Sequence, residues 1–197
     1  MTDRFDIASV IGDTRSGSWN AAEWAPSLFR SAVALSAVPD QLGVVDWITT
    51  NDAMAVFVAA ATAKELKGAS SASPRNVINL AHPRRVPWAS IINAFLPHLP
   101  ANVQAINNDE WLNRLEQERR DVQRSGHAEE ALSRIPAIKL IDTYHSMARA
   151  QHQVLVGVDE AVKLTGGRLE QAATLDSSLA SRYVAFWNKA TATASIK

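Results

Sequence analysis

The sequence predicts an α/β fold, mostly helical with a few short strands. Three observations carry this. Short β-branched runs alternate with longer amphipathic runs along the first 107 residues, and the remainder reads as helix after helix. The 47% apolar content is that of a globular chain rather than a disordered one. No repeat and no long linker divides the 197 residues, so residues 1–197 are expected to form one unit.

The elements follow in order. "FDIASVIG" predicts a buried strand over 5–12, stopped by a glycine. The turn-forming loop 13–18 comes next. Asn20 is placed to cap a helix over 21–36, with Glu23 at capping-box distance and Leu28, Val33 and Leu35 on its buried face. Pro39 ends this region. "VVDWITT" predicts a strand over 44–50, and Asn51 or Asp52 then caps an apolar, buried helix reaching about Leu66. Residues 66–75 read as a small-residue surface loop, and "NVINLA" as a strand over 76–81. Pro87 suits the first turn of a helix through Leu96, and "NVQAIN" is a short strand. In "NDEWLNRLEQERRDVQR", Trp111, Leu112, Leu115 and Val122 share one helical face. A helix from Pro136 and further helices with a break at Gly166 and Gly167 complete the chain.

Composition removes several functions. The formal charge is zero, which gives no reason to expect nucleic acid or an acidic membrane as partner. Without cysteine there are no disulfides, cysteine–zinc sites, iron–sulfur clusters or thiol nucleophile. No apolar run is long enough for a secretory signal or a membrane span, so a cytoplasmic location is expected. The five histidines are scattered; His145 and His152 stand seven apart, which suits one helix face better than a metal site.

The chemical motifs are also missing. No Gly-x-Gly-x-x-Gly, Walker loop, His-Glu-x-x-His or Gly-x-Ser-x-Gly occurs. Tyr144 is followed four residues on by Ala148 and Tyr183 by Trp187, so neither tyrosine has the lysine needed for hydride-transfer chemistry. The six tryptophans are the remaining clue. Four of them (Trp19, Trp24, Trp47 and Trp88) fall at element starts or strand ends, where core packing, pocket lining and an exposed docking anchor are all open readings.

The ordered segments resemble a known family. "GDTRSGSWNAAEWAPSLFRSAVALSAVP" followed by "VDWITTNDAMAVFVA" is similar to the region after the catalytic tyrosine and lysine in the thioester-reductase domains of fungal adenylate-forming reductases. That group includes aminoadipate-reductase-like and non-ribosomal-peptide-synthetase-like enzymes of the extended short-chain dehydrogenase/reductase family. The matching positions are Gly12, Asp13, Gly17, Trp19, Asn20, Glu23, Trp24, Pro26, Pro39 and Trp47. "NVINLAHPRRVPWASIINAFL", "DEWLNRL", "PAIKLIDTYHSM" and "RYVAFWNKA" have counterparts in the same order. The chain departs from the pattern before Gly12, where Asp6, Ile7, Ala8 and Ser9 replace the usual Arg-x-Gly-Gln. It departs again after Trp47, where Thr49, Thr50 and Asn51 replace Pro-x-Asp and the aspartate, Asp52, comes one residue later.

The resemblance implies the C-terminal, substrate-binding part of a Rossmann-like domain, without its dinucleotide-binding half. The intact enzymes use NADPH to release a carrier-bound acyl thioester as an aldehyde or alcohol. Trp19, Asn20, Trp24, Trp47 and Trp88 would shape the acyl and pantetheine pocket, with Trp19 facing the cleft and Trp24 packed inward. No catalytic residue, metal or bound cofactor is expected of this chain alone. Its expected partners are the missing N-terminal reductase half or a carrier protein domain. The alternative is a non-catalytic module that binds a partner or self-associates.

Overall fold

The computed structural model describes residues 4–7, 10–67, 77–125, 128–149 and 156–194. Most of the expected loop 66–75, and His152, lie outside them.

The alternation is present, but the strands are shorter and more numerous than the sequence implied. The run 5–12 divides into β1 (Arg4–Ile7) and β2 (Val10–Ile11), and these take different partners. Helix α1 (Trp24–Leu35) begins three residues later than expected. Strand β3 (Ala37–Pro39) follows it directly, on a segment read only as a stop. Strands β4 (Val44–Val45) and β5 (Ile48–Thr49) split the "VVDWITT" run, and α2 (Thr50–Lys67) follows. Next come β6 (Val77–Leu80), β7 (Val86–Pro87), α3 (Trp88–Phe95) and β8 (Gln104–Ile106). The C-terminal part holds α4 (Asn108–Ser125), α5 (Ala128–Arg134), α6 (Ile141–Arg149), α7 (Asp159–Leu164) and α8 (Ser177–Ala194). A 3-10 segment (Pro136–Leu140) joins α5 to α6, so the helix expected from Pro136 starts at Ile141.

Among the described residues the strands form four two-stranded ladders. Three are parallel: β1 with β6, β2 with β5, and β3 with β8. The fourth, β4 with β7, is antiparallel. Parallel pairing needs a crossover, and α1 and α2 supply helical cover between paired strands.

Two apolar clusters fill the interior. The larger gathers α1, α3, α4, α6 and α8 around Leu28, Phe29, Trp88, Phe95, Leu115 and Tyr183. The smaller packs Ile48, Val56, Ile78, Leu80, Ala161 and Leu169 between α2, the β5 and β6 strands, and α7. On α4, Trp111, Leu112, Leu115 and Val122 are buried together as their spacing required. Two apolar assignments change. Val33 is 54% exposed, and α2 is not buried all round: Met54 and Val58 are 53% and 60% exposed.

Candidate functional site

The four tryptophans singled out by the sequence meet in one cluster. Trp19 and Trp47 pack edge to face at 5.5 Å, Trp47 and Trp24 at 5.6 Å, and Trp47 and Trp88 at 6.0 Å. Trp24 and Trp88 lie 5.9 Å apart. Tyr183 and Trp187 of α8 extend the cluster behind Trp19, at 5.0 and 5.7 Å. Such separations are those of favourable aromatic pairs.

The cluster inverts the expected division of labour. Trp19 is buried (5% exposed), as are Trp47 (6%) and Trp88 (1%), whereas Trp24 is half-buried and Asn20 is exposed. Trp19 is drawn in by three aromatic neighbours and by its indole N–H, which donates to the Glu23 carboxylate at 3.0 Å. That bond takes the side chain that the capping box required. The Asn20 oxygen accepts from the Ala22 amide at 3.1 Å instead, making a turn, and α1 starts after Glu23.

The loop between β2 and Trp19 is locked. The Asp13 carboxylate accepts from the Ser16 amide (2.6 Å) and hydroxyl (2.7 Å), from the Asn51 side chain (2.8 Å) and from the Arg15 amide (3.0 Å). The Ser16 amide, then the Ser16 hydroxyl and Asn51, hold this carboxyl well below the usual range, so it stays ionised. Arg182 of α8 donates to the Thr14 carbonyl at 2.6 Å, and the Tyr183 hydroxyl to that of Gly12 at 3.0 Å. Gly12 admits no side chain, since a Cβ there would stand 2.3 Å from the Ser18 carbonyl oxygen.

Among the described residues, two hollows are prominent on the surface. One, of about 780 Å³, lies between α2 and the segment after α7, with Asp52, Met54, Val58, Arg168 and Gln171 on its walls. The other, of about 600 Å³, lies between the start of α1 and α5, lined by Asn20, Arg30, Leu132 and Lys139 among others. Of the five residues marked by the sequence, Asn20 alone lines either hollow.

The buried tyrosines and the buried histidine are already engaged. Burial pushes the Tyr144 and Tyr183 hydroxyls well above their ordinary range, and both donate to backbone carbonyls, Tyr144 to that of Trp24 at 2.7 Å. His82 is buried. Its Nδ1 accepts from the Arg84 amide at 2.9 Å, which leaves Nε2 to donate to the Ala172 carbonyl at 3.1 Å. Arg84 also donates to the Ala172 carbonyl. His82 lies within the family-like run "NVINLAHPRRVPWASIINAFL", but no spacing in that run marks it as the clasp on the segment after α7. Tyr183 and Trp187, four apart on α8, are a helical pair whose shared face was legible.

Neither the loop 13–18 nor the Gly166–Gly167 turn offers the cradle of a dinucleotide pyrophosphate. Such a pyrophosphate needs free amides at a helix N-terminus behind a glycine-rich turn. Here the Arg15 and Ser16 amides serve the chain's own Asp13 and the Thr14 amide serves Asn51, while Gly166 and Gly167, at φ 58° and 81°, follow the C-terminus of α7. No group of three metal-ligating side chains, and no helix long and apolar enough to cross a membrane, occurs among the described residues.

No family model matches the chain. Homologues nonetheless cover most of it. It is 39% identical over 132 residues to the adenylate-forming reductase Nps10 of Heterobasidion annosum, across 66% of this chain and 11% of that protein. It is 30% identical over 156 residues to Nps11 of Serpula lacrymans, and 32% over 154 residues to a carboxylic acid reductase of Neurospora crassa, 13% of each relative's length. The chain thus spans about a tenth of the curated relatives it matches. Among solved structures, the terminal R domain of the myxalamid PKS-NRPS pathway aligns with 94% of this chain and 43% of its own, at TM-score 0.68 and 17% identity. A thiolation-reductase di-domain from an archaeal non-ribosomal peptide synthetase aligns at TM-score 0.62 and 12% identity. The fold is therefore α/β and similar to part of these reductase domains.

Proposed function

We propose that this chain, homologous over most of its length to a segment of the adenylate-forming reductases, is the substrate-side lobe of a thioester reductase. In this reading it is the C-terminal part of a domain that releases a carrier-bound acyl chain as aldehyde or alcohol, with NADPH as hydride donor. The observation that carries it is the 39% identity over 132 residues to an adenylate-forming reductase. The alignment with 43% of a solved R domain supports it, because a lobe should match part of such a domain.

The physical division of labour follows from the side chains. The tryptophan cluster is rigid, apolar and backed by α8, which suits the wall of an acyl pocket. Trp24 and Asn20 would meet substrate at its edge, and Trp19, Trp47 and Trp88 would hold that edge in place. Proton donation to a carbonyl oxygen is not available from Tyr144 or Tyr183, whose hydroxyls are committed to backbone carbonyls. The hydride donor and the proton donor would come from a reductase segment outside these 197 residues.

NADPH titration tests this. Energy transfer from the tryptophans is expected to reveal no saturable NADPH binding to the chain at roughly micromolar to 100 micromolar cofactor. Mixed with the preceding part of a relative's reductase domain, the chain is expected to restore NADPH oxidation on an acyl thioester. Saturable micromolar binding by the chain alone would contradict the proposed division.

A second reading, a non-catalytic module that binds a partner or itself, draws on the exposed Met54 and Val58 of α2.

A further inference from the structure

The hollow between α1 and α5 holds a cation that is in no ion pair among the described residues. Arg30, half-buried on α1, makes one hydrogen bond among the described residues, from Nη1 to the Ala21 carbonyl at 3.3 Å. A guanidinium carries five N–H donors and stays protonated in proteins. No carboxylate lies within ion-pair distance of it among the described residues, in contrast to Arg114, Arg119, Arg124 and Arg134, each of which pairs with an acid on the surface. Burial alone lowers its affinity for its proton, the signature of an uncompensated cation. Taking a charge out of water without a partner is costly, and a chain that keeps one has a use for it or a ligand that offsets it.

The rest of the hollow is suited to such a ligand. Lys139, exposed on the opposite wall, adds a second cation, and Glu129 is the one carboxylate on the lining. Leu132, Pro136 and Leu140 form an apolar wall, and the Ser133 hydroxyl lies on the same lining. At about 600 Å³ the space exceeds what an inorganic ion needs. It falls in the range of small-molecule pockets.

We propose that this hollow binds an oxyanion, phosphate or carboxylate, carried on a short apolar stem, with Arg30 and Lys139 taking the anion and Leu132, Pro136 and Leu140 the stem. The site adjoins the tryptophan cluster, sharing Asn20 with its edge, and does not depend on the reductase reading. Arg30 offers planar, paired donors to either oxyanion, and Lys139 a point charge. Glu129 opposes the same ligand and so sets its affinity.

The test uses the 197-residue chain with hexyl phosphate, hexanoate, inorganic phosphate and, as control, chloride at matched ionic strength. Isothermal titration and thermal melting supply the readouts. Saturable binding of hexyl phosphate or hexanoate is expected at roughly millimolar concentration, tighter than inorganic phosphate because the stem adds apolar contact. Preference between the two tailed probes identifies the anion. Arg30→Gln is expected to weaken binding about tenfold or more while leaving the unliganded melting temperature unchanged or higher, since it removes an uncompensated charge. Lys139→Gln, at an exposed side chain, is expected to weaken binding about threefold, and Glu129→Gln to tighten it by a similar factor. Binding of neither tailed probe, or equal affinity in the Arg30 and Lys139 variants and the parent, overturns the proposal. A large loss of stability in Arg30→Gln without ligand also overturns it, because Arg30 would then be a structural residue.

Discussion

Gly12 is the residue on which the approach to the tryptophan cluster turns. Its Cα sits where the Ser18 carbonyl, the Trp19 Cβ and the Tyr183 ring converge, at 2.3, 2.6 and 2.8 Å from an added Cβ. Backbone and a buried aromatic surround it, so nothing flexible can yield. Gly12→Ala is therefore expected to destabilise the protein by about 3 kcal/mol, the upper part of the overpacking range. Gly166 makes the contrast. A Cβ there meets nothing within 4 Å, and only its φ of 58° resists substitution. Gly166→Ala is expected to cost about 1 kcal/mol. Urea denaturation of both variants checks the order, and equal losses would mean that the contacts around Gly12 relax. The sequence marked Gly12 as the end of a strand. It could not reveal the convergence, because Tyr183 reaches this site from 171 residues away.

At the scale of elements, one spacing had two outcomes. Asn20 and Glu23 stand three apart and do not make a box, because the Trp19 indole takes the glutamate and the Ala22 amide takes the asparagine. Thr49 and Asp52 stand three apart and do cap α2. The Thr49 hydroxyl accepts from the Asp52 amide at 3.1 Å and donates to its carboxylate at 2.6 Å. The cap is thus two or three residues earlier than the Asn51 or Asp52 expected. That frees Asn51 to bond Thr14 and Asp13, joining α2 to the loop before the cluster. Thr49→Val keeps the shape of this buried side chain and removes its hydroxyl. A loss of about 1–2 kcal/mol is expected, together with faster amide exchange in the first turn of α2. An unchanged stability would show that water replaces the cap. Both pairs are legible as four-residue patterns; which one caps its helix depends on a tertiary competitor for the glutamate. The same holds for β3. Pro39 reads as a terminator, yet it ends a parallel strand whose partner β8 lies 67 positions on, and its carbonyl accepts the Trp88 indole N–H at 2.8 Å. Helix α5 is different: "AEEALSR" carries acids at its start and a base at its end, a signal that is wholly local.

For the molecule as a whole, the alternation of strand and helix was legible because it is local, whereas the division into four ladders was not, because each pairs segments brought together only by folding. The surface of α2 belongs to this scale. Its inner face packs Ala53, Val56 and Ala60 into the smaller core, and its outer face shows Met54 and Val58 more than half exposed. Apolar residues on both sides of a helix are expected where both sides are covered. Two half-exposed side chains offer roughly 200 Å² per copy, far below the roughly 800 Å² per partner of a stable interface. Any pairing of two copies through this face is therefore weak and dependent on concentration. Light scattering is expected to give the monomer mass at roughly 10 μM and a rising average mass toward roughly 500 μM. The double variant Met54→Gln, Val58→Gln should keep the monomer mass throughout, with its melting temperature within a degree or two of the parent, because neither side chain is buried. A constant mass in the parent up to the highest concentration would remove self-association from the second reading of function. A rise that persists in the double variant would move the contact to another face.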